Sequence, residues 1–214
     1  MNVPLIGKCP KWEEDIPAGR AAEFISLVAS VHQEILASAN RSLIDNNDVR
    51  RWHAHLFKGF VPKDYYAGNW RGVDTSRPCL QENVSVGGIA GSDFRLVLGH
   101  MLALFNVMRL QLTQLELNWP LLQPPQRAMR LAIVIANLVG GFVQIHPFLN
   151  GNGRTSRLLW RWCLLRFGVA VQCCVYPRPK QPYGELMRDA MRGDYRPLTL
   201  YVLDHLANNP PAQN

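Results

Sequence analysis

Apolar positions recur at helical spacing in several long stretches of the chain and alternate in only one short one. From about Ala18, the residues Phe24, Leu27, Val28, Val31 and Ile35 share one helical face. Asp45-Asn46-Asn47-Asp48 stops that helix. Asp48 is placed to cap a second, short one carrying Trp52, Leu56 and Phe57, which Gly59 closes. A third begins at Asp93 and buries Phe94, Val97, Met101, Leu104, Phe105, Met108, Leu112 and Leu115. Asn118-Trp119-Pro120 and Pro124-Pro125 break the chain before a fourth, from about Gln126 to Phe142. That helix is apolar nearly all round, which predicts a place at the centre of a bundle. A fifth runs from the Gly-Asn-Gly turn at 151–153 to Phe167, packing through Leu158, Leu159, Trp162, Cys163 and Leu165, with Gly168 as its stop. Tyr183 to Met191 and Leu198 to Leu206 predict two short closing helices. Alternation appears only at Val84-Ser85-Val86-Gly87-Gly88, inside the Gly-, Ser- and Pro-rich residues 72–91, enough for a hairpin but not for a sheet. The pattern predicts an all-α bundle with one β-hairpin.

Length and composition change this picture little. The chain has 214 residues, 48% of them hydrophobic, which suits one domain with a sizeable core. Its net charge of +7 could favour an anionic partner. No Lys/Arg run appears, however, so neither nucleic acid nor a membrane is expected as a direct partner. Residues 1–17 read as an irregular arm, and the tail from Asn208 as disordered. No cationic start followed by an apolar run opens the chain, and the longest apolar run, Leu131 to Val143, is too short to span a bilayer. Five cysteines without metal-ligand spacing predict reduced thiols and a cytoplasmic protein; the adjacent Cys173 and Cys174 read as small apolar fillers.

The chemistry concentrates at residues 146–157, His146-Pro147-Phe148-Leu149-Asn150-Gly151-Asn152-Gly153-Arg154-Thr155-Ser156-Arg157. Glycines at 151 and 153 let backbone N–H groups turn toward a ligand, and the helix that follows adds the positive end of its dipole. Arg154, Arg157 and Arg161 fall at i, i+3 and i+7 and share a face. These features describe an anion cradle with a base at its lip. The stretch resembles the signature of the Fic (filamentation induced by cAMP) family, H-x-F-x-[D/E]-G-N-G-R-x-x-R, with Asn150 in place of the acidic residue. Leu56-Phe57 and Ala67-Gly68-Asn69-Trp70-Arg71 are similar to the segment that leads, in that family, into a hairpin called the flap. The resemblance covers roughly residues 48–170. It implies a core domain there, with an arm and helix at 1–47, closing helices at 171–207 and the tail at 208–214.

The resemblance implies a protein adenylyltransferase that moves AMP from ATP to a Ser, Thr or Tyr hydroxyl of a target protein. The fold also serves transfer of other nucleotides or phosphate-containing groups, and the altered motif leaves a weakly catalytic nucleotide-binding or interaction module as a third reading. By the same resemblance His146 would be the general base, and Gly151, Asn152, Gly153, Arg154 and Arg157 would hold the phosphates. Phe148 would anchor the loop in the core. Asn150 would stand where the family holds Mg²⁺ with a carboxylate, so metal binding is expected to weaken. Val84, Ser85, Val86 and Gly87 would form the flap that docks the target by strand addition. Toxins and effectors delivered into other cells occur in the family, as does restraint by an antitoxin-like protein. Restraint also comes from a helix bearing [S/T]-x-x-x-E-[G/N]; Ser30 to Glu34 fits its first five positions and Ile35 departs from the sixth.

Overall fold

The computed structural model describes residues 9–12, 16–41, 43–169 and 174–208. The tail beyond 208 and Cys173 lie outside them, as do residues 1–8 and 13–15 of the arm. Helix α1 (Ala21–Ala39) buries Phe24, Val31 and Ile35. Helix α2 (Asn46–Leu56) opens earlier than its pattern suggested. Asp45, not Asp48, is its cap, accepting from the N–H groups of Asn47 and Asp48, while the Asp48 side chain accepts in return from the Asp45 N–H. The hairpin consists of β1 (Ser85–Val86) and β2 (Ile89–Ala90), antiparallel, with Ser85 opposite Ala90 and Val86 opposite Ile89. Gly87 and Gly88, both at positive φ, make the turn that suits a two-residue hairpin.

Helix α3 (Val97–Asn118) follows a short 3₁₀ turn capped by Asp93. It buries Met101, Phe105, Met108 and Leu112 on one side, while Leu98, Leu102, Leu110 and Leu117 stay exposed. Helix α4 (Pro124–Ile145) is the axis of the molecule, packed against α3, α5 (Asn152–Arg166), α6 (Tyr183–Met191) and α7 (Arg196–Asn208). Two helical stretches, Phe94–Leu121 and Pro124–Ile145, are long and apolar enough to cross a membrane by length and composition. In α4 this reflects its central place, since two thirds of that window is buried.

The cysteines depart from expectation. Cys9 and Cys79 form a disulfide across 70 residues of sequence, so the reduced-thiol reading is corrected. Apolar patterning could not show this, because Cys9 sits in an arm without periodicity and only the packing of that arm on the 78–80 turn brings the pair together. In the chain-entropy account a loop of this length stabilises by about 4 kcal/mol. Cys163 is a buried apolar filler, its thiol pushed well above the usual range by burial. Cys174 is exposed, with its thiol 3.4 Å from the Pro177 carbonyl, and is not the filler expected.

The candidate active site

The end of α4 and the start of α5 are joined by residues 146–151, and the site is built on that joint. His146 ends α4 in the left-handed region (φ 55°), where its N–H still reaches the Phe142 carbonyl. Its Nδ1 lies 3.2 Å from the Val143 carbonyl oxygen, which can only accept, so the ring proton sits on Nδ1 and Nε2 keeps its lone pair. Burial lowers its pKa to about 4; the Val143 contact opposes the shift and the nearby Arg71 charge adds to it. That lies below the ordinary histidine value of 6.5. The imidazole is neutral at pH 7.

Phe148 is fully buried and stacks on His53 with ring centroids 3.6 Å apart. Sequence reasoning missed His53. It is fully buried and neutral, with a pKa lowered to about 3 by desolvation and only partly restored by its bond to Asn150. Its Nδ1 accepts from the Gly68 N–H (2.9 Å), so Nε2–H donates to the Asn150 carbonyl (3.1 Å). The signal available in the sequence was weak: His53 lies one residue after Trp52 on the buried face of α2. Gly151 (φ 79°) is required by conformation and by space, since a Cβ there would stand 2.4 Å from the Phe57 ring.

Asn152 accepts from the Phe148 N–H (3.0 Å) and donates to the Phe148 carbonyl (2.9 Å). Its side chain thus closes the loop on itself, and what faces a ligand is the first turn of α5, whose N–H groups at 152 and 153 have no intrahelical acceptor. Thr155 and Ser156 bond back to the Gly151 and Gly153 carbonyls, as helix-start residues do. Arg157 is buried, donates twice to the Val175 carbonyl and lies over the Tyr183 ring. Arg154 is half-buried above Phe24 and Phe57. A cavity of about 380 Å³ joins these groups. It is lined by His146, residues 150–154 and Arg157 together with Tyr176, Pro177, Tyr183, Met187 and Met191. Val86 of the hairpin borders it; Val84, Ser85 and Gly87 flank that residue on the hairpin itself.

Arg71, another residue the sequence marked only by resemblance, ties this joint together. Its guanidinium donates to the carbonyls of His146, Glu82, Ser92 and Ile145, and its own N–H to that of Pro147. Burial lowers its pKa to about 10, so it stays charged. Glu34, the candidate inhibitory residue, pairs with His55 and Arg51 of α2, and Arg161 lies near His32.

The residues present do not fit a Mg²⁺ site. The ion is usually held by one or two carboxylates plus phosphates and water. No carboxylate lines the cavity among the described residues, and no cluster of three or more metal-ligating side chains occurs among them. The Asn150 carboxamide is engaged at both ends: its oxygen accepts from the Gly151 N–H (2.6 Å) and its nitrogen donates to the Trp12 carbonyl (3.2 Å).

A model of the Fic/DOC family matches residues 43–164, more than half of the chain. The chain belongs to the Fic/DOC family. Among curated proteins it is similar to "Protein adenylyltransferase Fic" of Drosophila grimshawi and of Drosophila erecta, each 39% identical over 62 residues, or 29% of this chain. The match spans only 13% and 12% of those two relatives. Among solved structures it is similar to the BepC protein of Bartonella tribocorum, a VirB-translocated effector with bound AMPPNP. That likeness has a TM-score of 0.57 at 17% identity, covers 90% of this chain and 89% of that one, and shows the Fic fold: an all-α bundle with a small hairpin.

Proposed function

We propose that the protein is a protein adenylyltransferase, moving AMP from ATP to a Ser, Thr or Tyr hydroxyl of a target protein. One observation carries this reading. A neutral imidazole with its Nε2 lone pair free of the Val143 contact borders the same cavity as a helix N-terminus and that helix's Arg154 and Arg157. The relatives' name and the nucleotide analogue in the BepC structure support it.

In the proposed reaction the target hydroxyl attacks the α-phosphorus, and its proton passes to His146 Nε2. The new oxygen–phosphorus bond forms as the bond to the bridging oxygen breaks, and pyrophosphate leaves. The N–H groups of the first turn of α5, with Arg154 and Arg157, stabilise the charge on the phosphates. The adenine ring would lie against Tyr176, Tyr183, Met187 and Met191 of the cavity lining. Val86 at the cavity's edge supports hairpin docking of the target's backbone by strand addition. Because Glu34 is held by α2, we place any restraint on a separate antitoxin-like protein. Delivery into another cell is part of the proposal too, and the disulfide, which forms in oxidising surroundings, fits a protein that meets them.

Incubating the protein with a lysate and ATP labelled at the α- or the γ-phosphate tests the reading. Protein-bound α-label without γ-label is expected. Transfer of γ-label would instead assign transfer of a phosphate. No transfer with nucleotide still bound would assign a binding module, the reading favoured by the missing carboxylate.

A further inference from the structure

We propose that Asn150 is a positioning residue. Its carboxamide fastens the anion loop to an N-terminal strap that the Cys9–Cys79 disulfide anchors. This deepens the nucleotide reading above, on which its binding experiment rests, while its stability experiment does not.

The strap is built from several contacts. The disulfide fixes Cys9 with a Cα–Cα distance of 5.4 Å to Cys79, which is buried beside Leu80 and Tyr66. The Tyr66 hydroxyl donates to the Pro10 carbonyl (3.1 Å). The Trp12 indole stands edge-on to Phe57 and His53, at 5.1 Å and 5.8 Å between centroids, and tilted on Tyr66. These contacts hold the Trp12 carbonyl where the Asn150 amide nitrogen meets it at 3.2 Å. Leu149, the residue before, packs on the same disulfide cluster.

The bridge needs both a donor and an acceptor on one short side chain. Asn150 donates to the strap and accepts from Gly151 N–H. An aspartate could accept but not donate, and its charge would face the Trp12 carbonyl oxygen. Asparagine at this position therefore follows from the strap and is no diluted metal ligand. It has a consequence for the ligand: with the Gly151 N–H held by Asn150, the anion is left to the first turn of α5 and the arginines.

Two measurements on the full chain test the inference. The first compares melting of the wild type, Asn150→Asp, Cys9→Ser and the double variant under non-reducing conditions. Asn150→Asp is expected to lower Tm by about 3 °C or more. The same change in the Cys9→Ser background should cost less than half as much, because the strap is already loosened. Equal costs in both backgrounds would overturn the link.

The second measures AMPPNP binding by calorimetry in EDTA and in Mg²⁺. The wild type should bind in EDTA, and Asn150→Asp should bind more weakly there and recover nothing in Mg²⁺. Recovery by the aspartate variant in Mg²⁺ to wild-type affinity or better would restore the metal reading and overturn ours. If no variant binds AMPPNP at all, the proposed function fails while the melting result still decides the strap. Should Asn150→Asp not fold, reducing the wild type should weaken AMPPNP binding severalfold, and reducing Asn150→Ser should weaken it no further. Equal weakening of both would overturn the inference.

Discussion

His146 is the one non-glycine at positive φ among the described residues, and strain of that kind costs on the order of 1 kcal/mol or more. The cost is offset by what the conformation achieves: it ends α4, turns the ring to the cavity and leaves the carbonyl to Arg71. A pKa of about 4 makes the imidazole a weak base that is nonetheless deprotonated in almost every molecule at neutral pH. His146→Ala should therefore abolish target labelling while ATP affinity, measured calorimetrically, changes less than tenfold, since the base touches the attacking hydroxyl rather than the ground-state nucleotide. The acid limb of kcat/KM, which reports the free enzyme, should lie well below the 6.5 of an ordinary histidine. The limb of kcat should lie higher, because bound phosphates favour the imidazolium. A kcat/KM limb near 6.5 would mean that the free site is more solvated than its burial implies. The place of this residue beside the anion loop was legible, because motif spacing puts a histidine ahead of a glycine turn. Its lowered pKa was not, since desolvation depends on the hairpin and on Gly91 just after it, whose packing beside the ring no local spacing encodes.

At the scale of elements, Arg71 joins four segments that the sequence separates. It bonds the end of α4, the carbonyls of His146 and Pro147, and both approaches to the hairpin, at Glu82 and Ser92. A guanidinium is suited to this, with donors in a planar fork and a charge that complements the carbonyl end of α4. Arg71→Lys retains the charge but loses most of the fork, leaving buried carbonyls unpaired. We expect a stability loss of about 2 kcal/mol or more in urea titration, with faster hydrogen exchange in 84–91 than elsewhere. Uniform exchange would show that the hairpin does not depend on this residue. Helix α1 makes a second element-scale case. The pattern around Glu34 resembles an inhibitory helix, yet its carboxylate meets His55 and Arg51, while the Arg157 guanidinium donates to the Val175 carbonyl. Glu34→Gly should leave labelling within about twofold of wild type, allowing for a helix-propensity cost of about 1 kcal/mol in stability. A large gain in labelling would show that α1 restrains the site. Helix positions were readable from periodicity, to within a turn at most ends, because burial of one face dominates helix formation in a bundle. The Asp45 cap was not, since four Asx residues in a row offer several capping registers and packing of Val49 and Trp52 selects one.

Across the whole molecule, two neutral imidazoles, the fully buried His53 and the half-buried His146, sit around one loop, and this sets how the fold responds to acid. Burial is the main cause in both, holding His53 at about 3 and His146 at about 4, against about 6.5 when exposed. Below pH 6.5 the unfolded chain binds more protons than the folded one, so stability, complete above that value, is lost as pH falls toward the folded values. At roughly 1.4 kcal/mol per pH unit for each group, the two together cost several kcal/mol by pH 4, a large share of an ordinary domain's stability. The disulfide adds stability that does not titrate in this range, so it shifts the curve without changing its slope. His53→Gln separates the contributions. Glutamine can still accept from Gly68 and donate toward Asn150, but it takes up no proton and loses the stack on Phe148. The variant should be less stable than wild type at pH 7 and should lose less between pH 6.5 and 4.5, so the two urea midpoints converge as pH falls. Parallel curves would place the acid sensitivity elsewhere and would mean that His53 is more open to water than its packing against Phe57, Phe148 and Trp12 implies.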